Sequence, residues 1–239
     1  MPRAIFFDLD ETLIRHSTPI MEQLQSVCHQ HLADVSESRW ETFHQHLMTN
    51  VGPLWKNIEA HQGRCEAEFI SIFRSGLSAA GCDASLAEPM IKAFIASVVD
   101  STGPADGAHA VLDQLAAAGI KTGIITNGFA FMQRPKVFAH GLAERVNFVL
   151  TSEDAGAHKP DARIFQMALA HVGAIAGDCW HVGDHRENDL AGSINAGLTG
   201  VLYAPDPPSA DAVPDSGLLD PARYHVITRL SEIPGLIES

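Results

Sequence analysis

The sequence predicts an α/β protein: a doubly wound parallel sheet carrying a smaller all-helical domain inserted after its first strand. Three observations predict it. Short apolar, β-branched runs recur along the chain and stop at polar residues or glycine, as strands buried on both faces of a parallel sheet do. Helical patterns closed by glycine lie between these runs. One stretch, from about Thr18 to Ser101, reads as helices only and interrupts the alternation.

Ala4–Phe7 is the first strand. Helices follow over Ile20–Ala33, Glu37–Thr49, Glu66–Ala80 and Leu86–Val99, separated by Pro/Gly or polar turns, one of them Gly52–Asn57. Ile14–Pro19 and Asp100–Gly107 read as hinges. Residues 18–100 therefore form a helical cap domain, and 1–17 with 101–239 form the α/β core. Core strands are expected at Thr122–Ile125, Phe148–Leu150, Trp180–Val182, Gly200–Tyr203 and, more weakly patterned, Tyr224–Ile227. Core helices are expected at Ala108–Ala118, Ala162–Val172 and Leu190–Ala196, closed by Gly119, Gly173 and Gly197. Pro205–Pro221, dense in Pro, Asp and Ser, reads as a surface loop.

Hydrophobic residues make up 46% of the chain and charged ones 19%, which supports a substantial core and argues against disorder. A net charge of −13 disfavours a nucleic-acid backbone or an anionic membrane as partner. It does not exclude a small anionic substrate, which responds to the local field of its pocket. Cys28, Cys65, Cys82 and Cys179 show no CxxC spacing, so a reduced, cytoplasmic setting is expected. The apolar stretch at the N-terminus is too short for a signal peptide, and no run approaches the roughly 20 residues that span a bilayer.

Ligands of doubly wound sheets bind beyond the carboxyl ends of the strands. Asp8 and Asp10 follow the first strand, Thr126-Asn127-Gly128 the second, Lys159-Pro160-Asp161 the third, and Gly183-Asp184 with Asp189 the fourth. Two carboxylates at the mouth of a buried strand repel and lose hydration, which implies a cation, a proton or an electrophile. Taken singly each feature has a plainer account: Asp10 as a helix N-cap, Thr126–Gly128 as a turn, Lys159 as a solvated lysine. Their common address is the informative fact. Of thirteen histidines, His29/His31 and His44/His46 lie two apart on helices and do not face each other, which argues against a zinc site.

These four motifs, in this order and with a helical segment after the first, resemble the haloacid dehalogenase superfamily, in particular its phosphatase branch and phosphoglycolate phosphatase-like members. The resemblance covers the whole chain. It implies a Mg²⁺ ion bound by the side chains of Asp8 and Asp184 and the backbone carbonyl of Asp10, with Asp189 holding a metal-bound water or orienting its neighbours. It also implies Asp8 as the nucleophile and Asp10 as general acid and base. Thr126 and the Asn127 backbone N–H would hold phosphoryl oxygens, and Lys159 would neutralise charge within salt-bridge reach of Asp8. The substrate expected is a small phosphorylated metabolite, with phosphoglycolate, sugar phosphates and nucleoside 5′-monophosphates all open. Arg15, His16, Trp55 and Lys56 are candidates for specificity. Two rivals stand beside this reading. A dehalogenase of the same superfamily lacks an aspartate at the Asp10 position, because halide leaves without a proton. A non-catalytic binding protein on this fold would be free to lose Asp8, Asp10, Lys159 or Asp184.

Overall fold

The computed structural model describes residues 1–32, 35–205 and 220–238. It divides into two compact units, Met1–Arg15 with Gly103–Ser239, and His16–Thr102. The first is α/β. Its strands are β1 (Ala4–Phe7), β4 (Lys121–Thr126), β5 (Phe148–Thr151), β6 (Cys179–Gly183), β7 (Thr199–Tyr203) and β8 (Tyr224–Ile227). All pair in parallel, in the order β5-β4-β1-β6-β7-β8. Two short strands, β2 (Ile14–His16) and β3 (Thr102–Pro104), pair with each other where hinges were expected.

β1 shows why an unbroken apolar run belongs at the centre of such a sheet. Successive side chains point to opposite faces. Ile5 and Phe7 enter one hydrophobic cluster with Leu112 and Ile124, whereas Ala4 and Phe6 enter another with Ile125 and Phe165. All four residues are fully buried. With β4 on one side and β6 on the other, the strand has no exposed edge, and its carboxyl end lies at the middle of the sheet.

The expected helices Ala108–Ala118 and Ala162–Val172 are α5 (Ala108–Ala117) and α8 (Ala162–Val172). Two further helices, α6 (Ala130–Ala139) and the short α7 (Ser152–Ala155), follow β4 and β5 and have no counterpart in the sequence reading. The single helix expected over Leu190–Ala196 is instead a π-helical turn, Arg186–Ala191, followed by α9 (Gly192–Asn195). The wider turn starts where the His185 ring accepts the backbone N–H groups of Glu187 and Asn188, and such turns recur at functional sites. The chain closes with α10 (Ile233–Glu238). Of the expected loop Pro205–Pro221, residues 206–219 lie outside the described residues.

The other unit holds α1 (Ile20–His31), α2 (Glu37–Lys56), α3 (Cys65–Ala79) and α4 (Ala87–Asp100). Ala33, expected at the end of α1, lies outside the described residues. α2 corrects the sequence reading, for it runs through Gly52-Pro53 where a turn was expected. Leu47 and Leu54, seven residues apart, keep one face buried across the proline, and the Asn57 N–H still bonds the Pro53 carbonyl. Continued burial outweighs the backbone bond that proline forfeits. α3 buries Phe69, Phe73 and Leu77 at helical spacing, with the Phe73 ring edge-on to Phe43 at 5.6 Å. No helix of the described residues is long and apolar enough to cross a membrane.

Candidate active site

A cleft of about 230 Å³ opens at the carboxyl ends of the central strands. Asp8, Asp10, Thr126, Asn127, Lys159, Asp184 and Asp189 all line it, joined by Glu11, His185 and Asn188.

Asp8 is fixed by the sheet, its N–H bonding the Val182 carbonyl at 2.8 Å and so extending the β1–β6 ladder by one residue. The chain then coils around the Leu9 carbonyl, which accepts the N–H groups of Leu13 and Ile14 at 3.0 Å. Glu11 adopts a φ of 57°, a left-handed conformation that is uncommon outside glycine. The sequence reads Glu11 and Thr12 as shaping the turn after β1, with no chemical role. In the structure Glu11 lines the cleft and pairs with Arg15, while the Thr12 hydroxyl lies 3.5 Å from Asp184 Oδ1.

Lys159 is the buried hub of the site. Its ammonium group lies 2.8 Å from Asp8 Oδ1, 2.6 Å from Asp189 Oδ1 and 2.9 Å from the Ile125 carbonyl, so each of its three protons has an acceptor. The Asn127 side chain holds it there through paired bonds to the Lys159 backbone, accepting from its N–H at 2.8 Å and donating to its carbonyl at 3.0 Å. Asp189 sits beneath, 1% exposed, bonded also by His181 Nε2 at 2.8 Å and by the His185 N–H at 3.1 Å. Gly183 makes room for it: a Cβ there would stand 2.2 Å from Asp189 Cγ.

Three residues that sequence reasoning missed complete the site. His181 lies mid-strand in β6, edge-on to Phe165. Gln133 and Lys136 on α6 reach Asp10, Lys136 Nζ at 2.5 Å from Oδ1 and Gln133 Nε2 at 2.8 Å from Oδ2. The available signals were a titratable residue inside an apolar strand, and a polar pair sharing a helix face with Ala130 and Val137. Among the specificity candidates, Arg15 stacks its guanidinium on the Tyr203 ring at 5.5 Å. His16, Trp55 and Lys56 belong to the helical unit.

Four carboxylates, Asp8, Asp10, Asp184 and Asp189, here face two ammonium groups, Lys136 and Lys159. The pKa shifts follow burial first and these neighbouring charges second. Burial pushes Asp8 up to about 8 against the opposing pull of Lys159. Burial, then repulsion from Asp189, raises Asp184. Burial opposes the charge of Asp189 too, but Lys159 and His181 overcome it and hold that carboxyl well below the usual range. Burial works against the charge on Lys159, and Asp189 and Asp8 reverse the effect and raise its pKa. Burial lowers the pKa of His181, against the opposing pull of Asp189. Asp8, Asp184 and Asp189 each offer an oxygen within 4.8 Å of the others. An all-oxygen donor set with surplus negative charge fits a hard divalent cation.

The carboxylate cluster around a buried lysine lies at the carboxyl edge of a doubly wound sheet, where the ligands of such folds bind. The haloacid dehalogenase-like hydrolase model matches residues 2–197, and the chain belongs to that family. It is 30% identical over 205 residues to pyrimidine 5′-nucleotidase YjjG of Escherichia coli, covering 81% of this chain and 82% of the relative. It is also 30% identical to human haloacid dehalogenase-like hydrolase domain-containing protein 3, covering 98% of this chain and 95% of that protein. The solved structure of a 2-haloacid dehalogenase from Pseudomonas syringae pv. tomato superposes with a TM-score of 0.73 at 27% identity, over 100% of this chain and 99% of that one.

Proposed function

We propose that this hydrolase is a Mg²⁺-dependent phosphatase of small phosphomonoesters, working through an aspartyl-phosphate on Asp8. The observation that carries this reading is Asp10, a second carboxylate lining the same cleft two residues beyond Asp8. An alkoxide leaving group needs a proton and halide does not, so this residue favours phosphoryl transfer over the dehalogenation named for the structural neighbour. The relative named as a pyrimidine 5′-nucleotidase supports the same choice.

Asp8 attacks phosphorus as the ester bond breaks, and Asp10 delivers a proton to the departing oxygen. Water then attacks the phosphoryl group, Asp10 takes its proton, and Asp8 is released. Thr126 and the Asn127 N–H hold phosphoryl oxygens, while Lys159 offsets charge on Asp8. Mg²⁺, held by Asp8, Asp184 and the Asp10 carbonyl, would supply the charge neutralisation that lets a carboxylate approach a phosphate dianion. Asp189, bonded by Lys159, His181 and the His185 N–H, orients Lys159 and the neighbouring carboxylates. Residues 18–100 serve as a cap that selects the substrate. A cytoplasmic setting suits a chain whose four cysteines show no CxxC spacing. The test is hydrolysis of p-nitrophenyl phosphate with and without Mg²⁺, beside halide release from 2-chloropropionate. Mg²⁺-dependent colour with no halide is expected; halide release, or no Mg²⁺-dependent turnover, would refute the reading.

A further inference from the structure

The inner face of α6 carries Gln133 and Lys136, three residues apart and therefore neighbours on the helix surface. Both are buried, Lys136 to 2% exposure, while Phe138 of the same helix is 65% exposed. A helix packed for stability alone would reverse that choice, since a buried ammonium group is costly unless it is paired. The pairing is with Asp10, and it is two-handed: ammonium on Oδ1, amide on Oδ2. The same Gln133 amide lies 2.7 Å from Thr126 Oγ1. Accepting there, the Thr126 hydroxyl keeps its own proton for a phosphoryl oxygen. Gly128 is shaped to the amide as well, because a Cβ would stand 2.6 Å from Gln133 Cδ.

We propose that Lys136 is the positioning residue for proton transfer at Asp10, with Gln133 fixing the second carboxylate oxygen. This rests on the phosphatase reading. In the first half-reaction Asp8 bonds phosphorus, the ester P–O bond breaks, and the departing alkoxide takes the proton of the Asp10 carboxyl. The carboxylate so formed is the species that Lys136 and Gln133 grip. In the second half water bonds phosphorus, the Asp8–phosphorus bond breaks, and Asp10 recovers its proton from that water. Both halves need this carboxylate in one orientation.

The test compares kcat/KM for benzyl phosphate and p-nitrophenyl phosphate in Lys136→Met with saturating Mg²⁺. This constant covers the steps through leaving-group departure. Benzyl alkoxide needs a proton to leave, whereas p-nitrophenolate does not. We expect benzyl phosphate hydrolysis to fall roughly 10- to 100-fold further than p-nitrophenyl phosphate hydrolysis, within the about 10²–10⁴-fold that general acid catalysis contributes. Equal losses on both esters, as a merely structural residue would give, or no loss on either, would overturn the proposal. Gln133→Leu serves if Lys136→Met does not fold: the same change in the ratio is expected, and an unchanged ratio overturns the role. A wild-type protein that hydrolyses neither ester would instead sink the phosphatase reading, and this inference with it.

Discussion

Replacing Lys159 by Met tests the electrostatics of the site without asking anything of a substrate. The thioether chain fills nearly the volume of the lysine stem but removes the ammonium group that serves Asp8, Asp189 and the Ile125 carbonyl together. Lys159 is only 3% exposed and Asp189 1%, so the contact with Asp189 is shut off from water. Breaking a buried pair by deleting one partner costs about 3–5 kcal/mol, several times the value of a surface ion pair. At about 2–4 °C per kcal/mol for a domain of this size, unfolding of the α/β unit should begin roughly 6–20 °C lower. The assay is thermal and urea unfolding in chelator, followed by circular dichroism. Asp189→Asn keeps the shape of the acceptor and removes its charge, so the double variant should recover about 1–3 kcal/mol relative to the sum of the two singles. A loss below about 1 kcal/mol, or strict additivity, would mean that Lys159 is solvated and does not organise the cluster.

Gly183→Ala places a Cβ 2.2 Å from Asp189 Cγ, which must displace that carboxylate; p-nitrophenyl phosphate turnover should fall by about 10²-fold or more, and a wild-type rate would contradict the packing. Asp8, raised to about 8, holds its proton at neutral pH in the metal-free protein. A raised acid stabilises the fold below its unfolded pKa of 3.8 and loses that contribution as pH climbs through about 8. His181, lowered from 6.5, acts with the opposite sign but is already neutral above about pH 7. Metal-free stability should therefore decline between about pH 7 and pH 9, and Mg²⁺ added near pH 7 should displace a proton. Calorimetry in two buffers of different ionisation enthalpy reads that proton, and identical heats would contradict it.

Much of this architecture was legible because the strands are buried on both faces. Ala4–Phe7 and Tyr224–Ile227 have the bounds that their apolar runs indicate, and the remaining core strands differ only by a residue at one or both ends. The strand-end residues were legible for a related reason: a parallel sheet delivers every carboxyl end to one edge. What stayed hidden depended on packing across sequence distance. α6 opens on a mixed pattern and contains Pro135, and its buried face is partly polar, so hydrophobic periodicity does not announce it. Gln133 and Lys136 become intelligible only beside Asp10, more than a hundred residues away in the chain. His181 reads as part of an apolar strand, and only the folded chain brings Asp189 against its ring. Pro53 and Gly52 suggested a turn, and only the buried Leu47–Leu54 face explains why α2 continues.

The central claim is that Asp8 carries the phosphoryl group between two substrates, ester and water. Borohydride reduces an acyl phosphate to an alcohol, which turns a phosphorylated aspartate into homoserine. Enzyme quenched during turnover of p-nitrophenyl phosphate with Mg²⁺, then reduced and digested, should give homoserine at position 8 and at no other aspartate by peptide mass spectrometry. An unmodified Asp8 in a sample caught turning over, or homoserine at another position, would contradict the account.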